Sequence, residues 1–191
     1  MSRLLKIGVV GAGIGGLTAA IALKRRGFEP VVFEQAEELG EVGAGLTISK
    51  NAARVFDELG LGPQLAALDN PCPHLGSLDH ITGETLAYEP RPADELNCQN
   101  VIVSRQVHRA DLYDLLVDAL DEVGGSIHLN HKLRDISQNS DRVKLCFSEG
   151  QEIYCDIVIG ADGVRSVVRE KLYSAKPAIF TGFVAWRGLV E

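Results

Sequence analysis

The stretch that most constrains this chain is Gly11-Ala12-Gly13-Ile14-Gly15-Gly16. It follows an apolar run of strand length, Leu4–Val10. It precedes a helically spaced run, Ile14–Arg26, with Leu17, Ala20, Ile21 and Leu23 at helical intervals. Gly27 stops that helix, and Val31–Glu34 reads as a second strand. Two strands joined through a helix must lie parallel in one sheet with the helix packed on its face, so the expected class is α/β.

The same spacing says what the turn can hold. Gly11 permits a tight turn, Gly13 lets a pyrophosphate approach the backbone, and Gly16 lets helix and strand pack closely. The amino end of the helix adds N–H donors and a partial positive charge. Glu34 ends the second strand, where a carboxylate can accept hydrogen bonds from an adenosine ribose and repel a 2′-phosphate. Glu34 also belongs to a run with Glu37, Glu38 and Glu41, so a solvated acid is the competing reading. On these features alone the site suits NAD or FAD.

Composition removes several alternatives. A net charge of −7 without a basic stripe argues against a nucleic-acid partner. Residues 4–23 are almost uncharged, yet they contain five glycines and no Trp or Tyr anchor, so no membrane span is expected. Cysteines 72, 98, 146 and 155 form no CxxC pair, which points to free thiols and no metal site. With no signal-peptide pattern, a cytoplasmic location is expected.

Further along, residues 41–50 form a glycine-rich loop leading to a short extended piece, and Asn51–Leu59 reads as a helix capped by Ser49 and stopped by Gly60. Prolines at 71, 73, 90 and 92 and the stretch HITGETLAYE suggest a β excursion over about 72–100. Asn100–Ser104 reads as a strand and His108–Val123 as the clearest helix. SIHL, LRDIS, VKLCF and EIYC then read as successive short strands. Asp156–Gly160 is one more strand, Val164–Leu172 one more helix, and residues 179–190 a last strand. His128 and His131 show no pairing in the sequence, and His108 reads as structural.

The stretch DIVIGADGVRSVVR (156–169) resembles the Asp-Gly motif of the FAD-dependent aromatic hydroxylases, the group of para-hydroxybenzoate hydroxylase and, more closely, salicylate hydroxylase. VGAGLTISKNAARVFDELGL (42–61), VHRADLYDLL (107–116) and FTGFVAWRGLV (180–190) match the same family in the same order. The resemblance implies a Rossmann-like FAD-binding parallel sheet with a β-meander, over about 1–175. Residues 72–100 would belong to the substrate side, and 176–191 would begin a substrate-domain β-sheet.

It also implies site residues. FAD would contact Gly11, Gly13, Ile14, Gly15 and Gly16, with its ribose on Glu34 beside Gln35. Gly43–Thr47, including Gly45, would pass along the flavin's sugar-alcohol chain. Arg109 would reach the phosphate and ribityl region, backbone near Leu133 the adenine, and Asp162 the pyrophosphate. Structural roles compete: Arg109 paired with Asp111 or Asp114, and Asp162 capping the helix that follows. The implied reaction is hydroxylation of a small phenolic or heteroaromatic acid by O2, with NADH or NADPH as transient reductant; a homodimer is a possible assembly.

The family's later Gly-Asp flavin motif has no counterpart, since no Gly-Asp dipeptide occurs in the 191 residues. The chain therefore reads as the first part of a hydroxylase, inactive alone. Two other classes share these motifs. One is a dinucleotide-binding chain without turnover, and the other an FAD-dependent reductase or halogenase on the same scaffold.

Overall fold

The computed structural model describes residues 5–40, 43–71, 74–90, 102–173 and 179–185. In chain order the first elements are β1 (Lys6–Val10), α1 (Ile14–Arg25), β2 (Glu29–Phe33), β3 (Gly45–Ile48), α2 (Lys50–Glu58) and α3 (Gly62–Ala67). Strands β4 (His74–Leu78), β5 (Thr85–Pro90) and β6 (Arg105–His108) lead to helix α4 (Arg109–Glu122). Then come β7 (Ser126–His128), β8 (Leu133–Gln138), β9 (Val143–Phe147), β10 (Glu152–Cys155), β11 (Ile157–Gly160) and helix α5 (Val167–Tyr173). The described residues fall into two compact units, one within 1–41 and 113–187, the other within 42–112.

The first unit is built on a parallel sheet of order β11-β1-β2-β7. Alternation along β1 sends Ile7 and Val9 to one face and Gly8 and Val10 to the other. Helix α1 packs on β1 and β2 and buries Leu17, Ala20 and Ile21. The antiparallel meander β8-β9-β10 covers the opposite face. There Val10 and Phe33 join Leu133, Ile136, Leu145, Phe147, Cys155 and Val168 in one buried cluster. A Cβ added to Gly8 would lie 3.0 Å from the Cys155 sulfur, so the meander sits tightly on β1 at that point.

In the second unit, β3 pairs antiparallel with β6, β4 pairs antiparallel with β5, and α2 packs on α3. Its core includes Ile48, Ala53, Phe56, Leu61, Leu65 and Val107. Ser49 caps α2 by accepting from the Ala52 N–H, as its position in the sequence suggests.

Several boundaries differ from expectation. The strand expected at Asn100–Ser104 does not form over 102–104; it lies at Arg105–His108. Arg105 occupies an inward strand position because Asp69 neutralises it, with Nη1 3.2 Å from Oδ2 and both side chains buried. Asp69 Oδ1 also accepts from the Gln106 N–H. Of the four successive short strands, SIHL forms β7 of the parallel sheet, and the other three form the meander. Helix α3 follows directly on a Gly62-Pro63 pair that resembles a breaker, yet proline suits a first helical turn.

The last helix starts at Val167, not Val164, because the Asp162 carboxylate caps the Val167 and Val168 N–H groups. The strand expected over 179–190 is absent from described residues 179–185, where no partner strand pairs with them. Its remainder, with Trp186 and Arg187, lies outside the described residues, as do Glu41, Cys72, Cys98, Asn100 and most of the expected excursion beyond Pro90. Residues 4–23, where described, form β1, the glycine turn and the start of α1. No helix among the described residues is long and apolar enough to cross a membrane.

Candidate functional site

Three strand ends meet in the first unit at the carboxyl edge of its sheet. The glycine turn leaves β1 with the Gly11 N–H donating to Phe33 O, 2.8 Å, which ties it to the end of β2. On the other side, the Ala161 N–H donates to Val10 O, 2.8 Å, bringing the Gly160-Ala161-Asp162 stretch beside it. Open α/β sheets take ligands at such a convergence.

The four glycines of the turn answer to different constraints. Gly11 has φ +101°, and a Cβ there would lie 2.5 Å from Ala161 O. A Cβ on Gly16 would lie 1.9 Å from Gly11 O, so the chain's own packing excludes any side chain at both. Gly13 differs, with φ −69° and ψ 176°, a conformation open to any residue. Added Cβ atoms at Gly13 and Gly15 meet nothing within 4 Å. The fold leaves open the face they line, at the amino end of α1. Gly13 supplies no side-chain cap there, and the first turn carries no acidic residue, so among the described residues no side chain caps its orphan N–H groups at the positive end of the helix dipole.

Glu34 stands beside this face, half-buried, with its carboxylate bonded to backbone. Oε2 accepts from the Ala12 N–H at 2.7 Å and Oε1 from the Ala36 N–H at 3.0 Å. The first bond clamps the glycine turn to β2, a role the sequence did not disclose. A carboxylate has about four lone-pair sites, so two remain for hydroxyl donors. Gln35 is exposed, and its side chain makes no hydrogen bond among the described residues. A loop after β7 backs Glu34: the Glu34 N–H donates to His128 O, the His131 N–H to Glu34 O, and the Asn130 N–H to Ala36 O. Asn130 adopts φ +59°, a left-handed conformation that asparagine tolerates. His128 and His131, unpaired in the sequence reading, form a ring cluster with Phe33 and Phe147, with centroids 5.0–5.6 Å apart.

Asp162 is occupied by its own helix. Oδ1 accepts from the Ser166 hydroxyl and Oδ2 from the Val167 and Val168 N–H groups at 2.7 and 3.1 Å. Its Cα lies 3.1 Å from where a Gly11 Cβ would stand, so the capped turn is also the wall of the glycine turn. Leu133 is buried in the meander core opposite Phe147, where the β8–β9 register slips by one residue. The Cys155 thiol is pushed up from its ordinary pKa by burial, with Lys6 opposing and Asp156 adding to the shift, which leaves it protonated and inert.

The remaining candidates lie in the second unit. Gly45 opens β3 opposite His108, and a Cβ there would meet only Val107 O at 3.7 Å. Arg109 begins α4 with its stem against Gly43, whose added Cβ would lie 2.7 Å from the Arg109 Cβ. His108 faces Asp111: its Nδ1 lies 3.4 Å from Oδ1, while Nε2–H donates to Gly43 O at 2.8 Å. That ring pins the glycine loop from 65 residues away, a separation no local pattern reveals. Among the described residues no His, Cys, Asp and Glu group could hold a metal ion.

Comparison with known proteins places this geometry. 3-Amino-4-hydroxybenzoate 2-monooxygenase of Streptomyces cremeus is 35% identical over 192 residues, covering 100% of this chain and 47% of its own length. Salicylate hydroxylase of Pseudomonas putida is 32% identical over 98% of this chain and 44% of its own length. The structure of Klebsiella pneumoniae HpxO with FAD and uric acid superposes with a TM-score of 0.72 at 26% identity, over 87% of this chain and 41% of that one. The chain thus spans about half the length of the curated relatives it matches. These relatives agree with the motif resemblance to aromatic hydroxylases. With its glycine turn, Glu34 and Asp-Gly strand end inside a match to the FAD binding domain over residues 5–182, the chain belongs to that family.

Proposed function

We propose that this chain is the FAD-binding portion of a flavin-dependent monooxygenase that hydroxylates a small phenolic or heteroaromatic acid. The observation that carries the reading is the open face at Gly13 and Gly15. No described protein atom excludes a side chain at either position, and a pyrophosphate lying against the backbone gives both a reason to be glycine. The residues present fit the group. The first-turn N–H groups of α1 would hold its phosphates, and the two spare lone-pair sites of Glu34 its adenosine ribose. Backbone near Leu133 would meet the adenine, with Gln35 beside the ribose. Asp162 would act through its backbone, holding the Asp-Gly turn against Gly11. Arg109, with its planar fork, would take a phosphate oxygen, with Gly43–Thr47 along the ribityl chain.

When bound, FAD would supply the redox chemistry with NADH or NADPH as reductant and O2 as oxidant. The protein's part is to orient the cofactor and shield it from water. In this reading residues 1–175 form the cofactor domain, 72–100 reach the substrate side and 176–191 begin the substrate sheet. The setting is cytoplasmic. Exposed Ile179, Phe180 and Phe183 supply apolar surface for pairing as a homodimer. The test is reconstitution of the protein with FAD. Hydroxybenzoates should then stimulate NAD(P)H oxidation and gain one oxygen atom derived from O2. Binding of FAD without stimulation or product would support a dinucleotide-binding chain, and no FAD binding at all would overturn the reading.

A further inference from the structure

A recess of about 400 Å³ lies in the first unit between the parallel sheet and the meander, away from the glycine turn. One wall is aromatic: Phe33 from β2, His128 from β7 and Tyr154 from β10. Lys6 and Arg142 supply two cations to the lining. Neither the Lys6 ammonium nor the Arg142 guanidinium has an ion-pair or hydrogen-bond partner among the described residues. The lining also holds two acids, each with a partner. Glu152 is bound to the Lys144 ammonium at 2.6 Å, and Asp156 accepts from the Lys6 N–H at 2.8 Å.

Two unpaired cations beside three rings select one kind of ligand. A planar fork and an ammonium recognise a carboxylate, while ring faces and edges favour a flat apolar body over a chain. The volume falls within the range of small-molecule sites and exceeds what a single ring needs. We propose that this recess binds a small aromatic carboxylate, at a site distinct from the cofactor crevice. The carboxylate pairs with Arg142 and Lys6, and the ring lies among Phe33, His128 and Tyr154. Because Phe33 immediately precedes Glu34, and His128 O accepts the Glu34 N–H, an occupant touches the strand end that clamps the glycine turn. The site does not depend on the FAD reading, since none of its lining residues belongs to the glycine turn.

The test is protein-observed NMR on the full chain, with benzoate as the probe and inorganic phosphate and phenol as controls. It is run with and without FAD, so failure of cofactor binding is scored separately. Saturable benzoate shifts should centre on Phe33, His128, Arg142 and Tyr154, and Arg142→Gln should weaken them about tenfold or more while the remaining spectrum holds. Tyr154→Leu, which keeps both cations, should also weaken benzoate. Absence of saturable shifts at these residues, or shifts indifferent to both substitutions, would overturn the proposal. Equal binding of phosphate would overturn its aromatic part, and equal binding of phenol its carboxylate part.

Discussion

Gly13→Ala separates what the fold requires of the glycine turn from what a ligand requires. The added methyl group meets no protein atom within 4 Å, and the backbone at φ −69°, ψ 176° needs no adjustment. The structural penalty is then limited to the N-cap, where alanine is poorer than glycine by up to about 1 kcal/mol. For a chain of this length that lowers the melting temperature of the apoprotein by no more than about 4 °C. The same methyl intrudes on the open face where a pyrophosphate would accept from the first-turn N–H groups. Loss of one charge-assisted hydrogen bond costs about 1.5–3 kcal/mol, or roughly 10- to 150-fold in affinity. Gly16→Ala is the contrast. Its Cβ would sit 1.9 Å from Gly11 O, a backbone atom, so the turn itself must give way. Calorimetric titration of FAD and thermal melts of the apoproteins read both quantities. Gly13→Ala should bind FAD poorly on a nearly intact fold, and Gly16→Ala should melt early with or without FAD. Wild-type FAD affinity in Gly13→Ala would refute the placement of a phosphate on that face.

Glu34→Ala should weaken FAD by about one to two decades and also lower apoprotein stability, because the Ala12 N–H loses its acceptor; calorimetry and melts together report both. Unchanged FAD affinity would remove Glu34 from the ribose. Arg109→Lys keeps the charge and loses the fork, so FAD retention after gel filtration should fall while the apoprotein melting temperature holds. Asp162→Ala should cost about 0.5–2 kcal/mol through the lost cap, lowering the melting temperature by about 1–8 °C. Iodoacetamide at mildly alkaline pH should label Cys146 well before Cys155, since burial keeps the Cys155 thiol protonated; peptide mapping that finds Cys155 modified first would contradict the packing against Gly8.

What the sequence disclosed followed the reach of each interaction. The first strand, α1, the capped α2 and the Asp-Gly strand end were legible because their signals are local: periodicity, a glycine stop, a serine cap. The strand at Arg105–His108 was not, since an inward arginine is acceptable only against Asp69, 36 residues earlier. Helix α5 starts three residues later than its sequence pattern suggests, because Asp162 could cap at either distance and only the Ser166 and Val167 bonds decide it. SIHL has the same alternating pattern as the meander strands, and only its partner, β2, makes it parallel. In the site, residue types were readable and partners were not. Glu34 announced an acceptor at a strand end, whereas its clamp on Ala12 depends on how closely the turn folds back. His108 carried no signal for Gly43 at all.

The acidic end of β11 shows why one residue can satisfy two readings. As a cap, Asp162 spends its carboxylate on Ser166, Val167 and Val168, and that alone would justify it. Capping, however, also fixes where its backbone lies, and that backbone bounds the space beside Gly11 so tightly that no Cβ fits there. Freeing the Asp-Gly turn from α5 would therefore loosen the wall that shapes the glycine turn, even though the carboxylate itself faces the helix. Glu34 works from the other side by the same logic, holding Ala12 with one oxygen while keeping lone pairs for a ligand. The glycine turn is held between the Glu34 carboxylate on one side and the Ala161-Asp162 backbone on the other, and no side chain among the described residues caps the amino end of α1 at that edge of the sheet. A dianionic pyrophosphate is the ligand chemistry that such an edge matches.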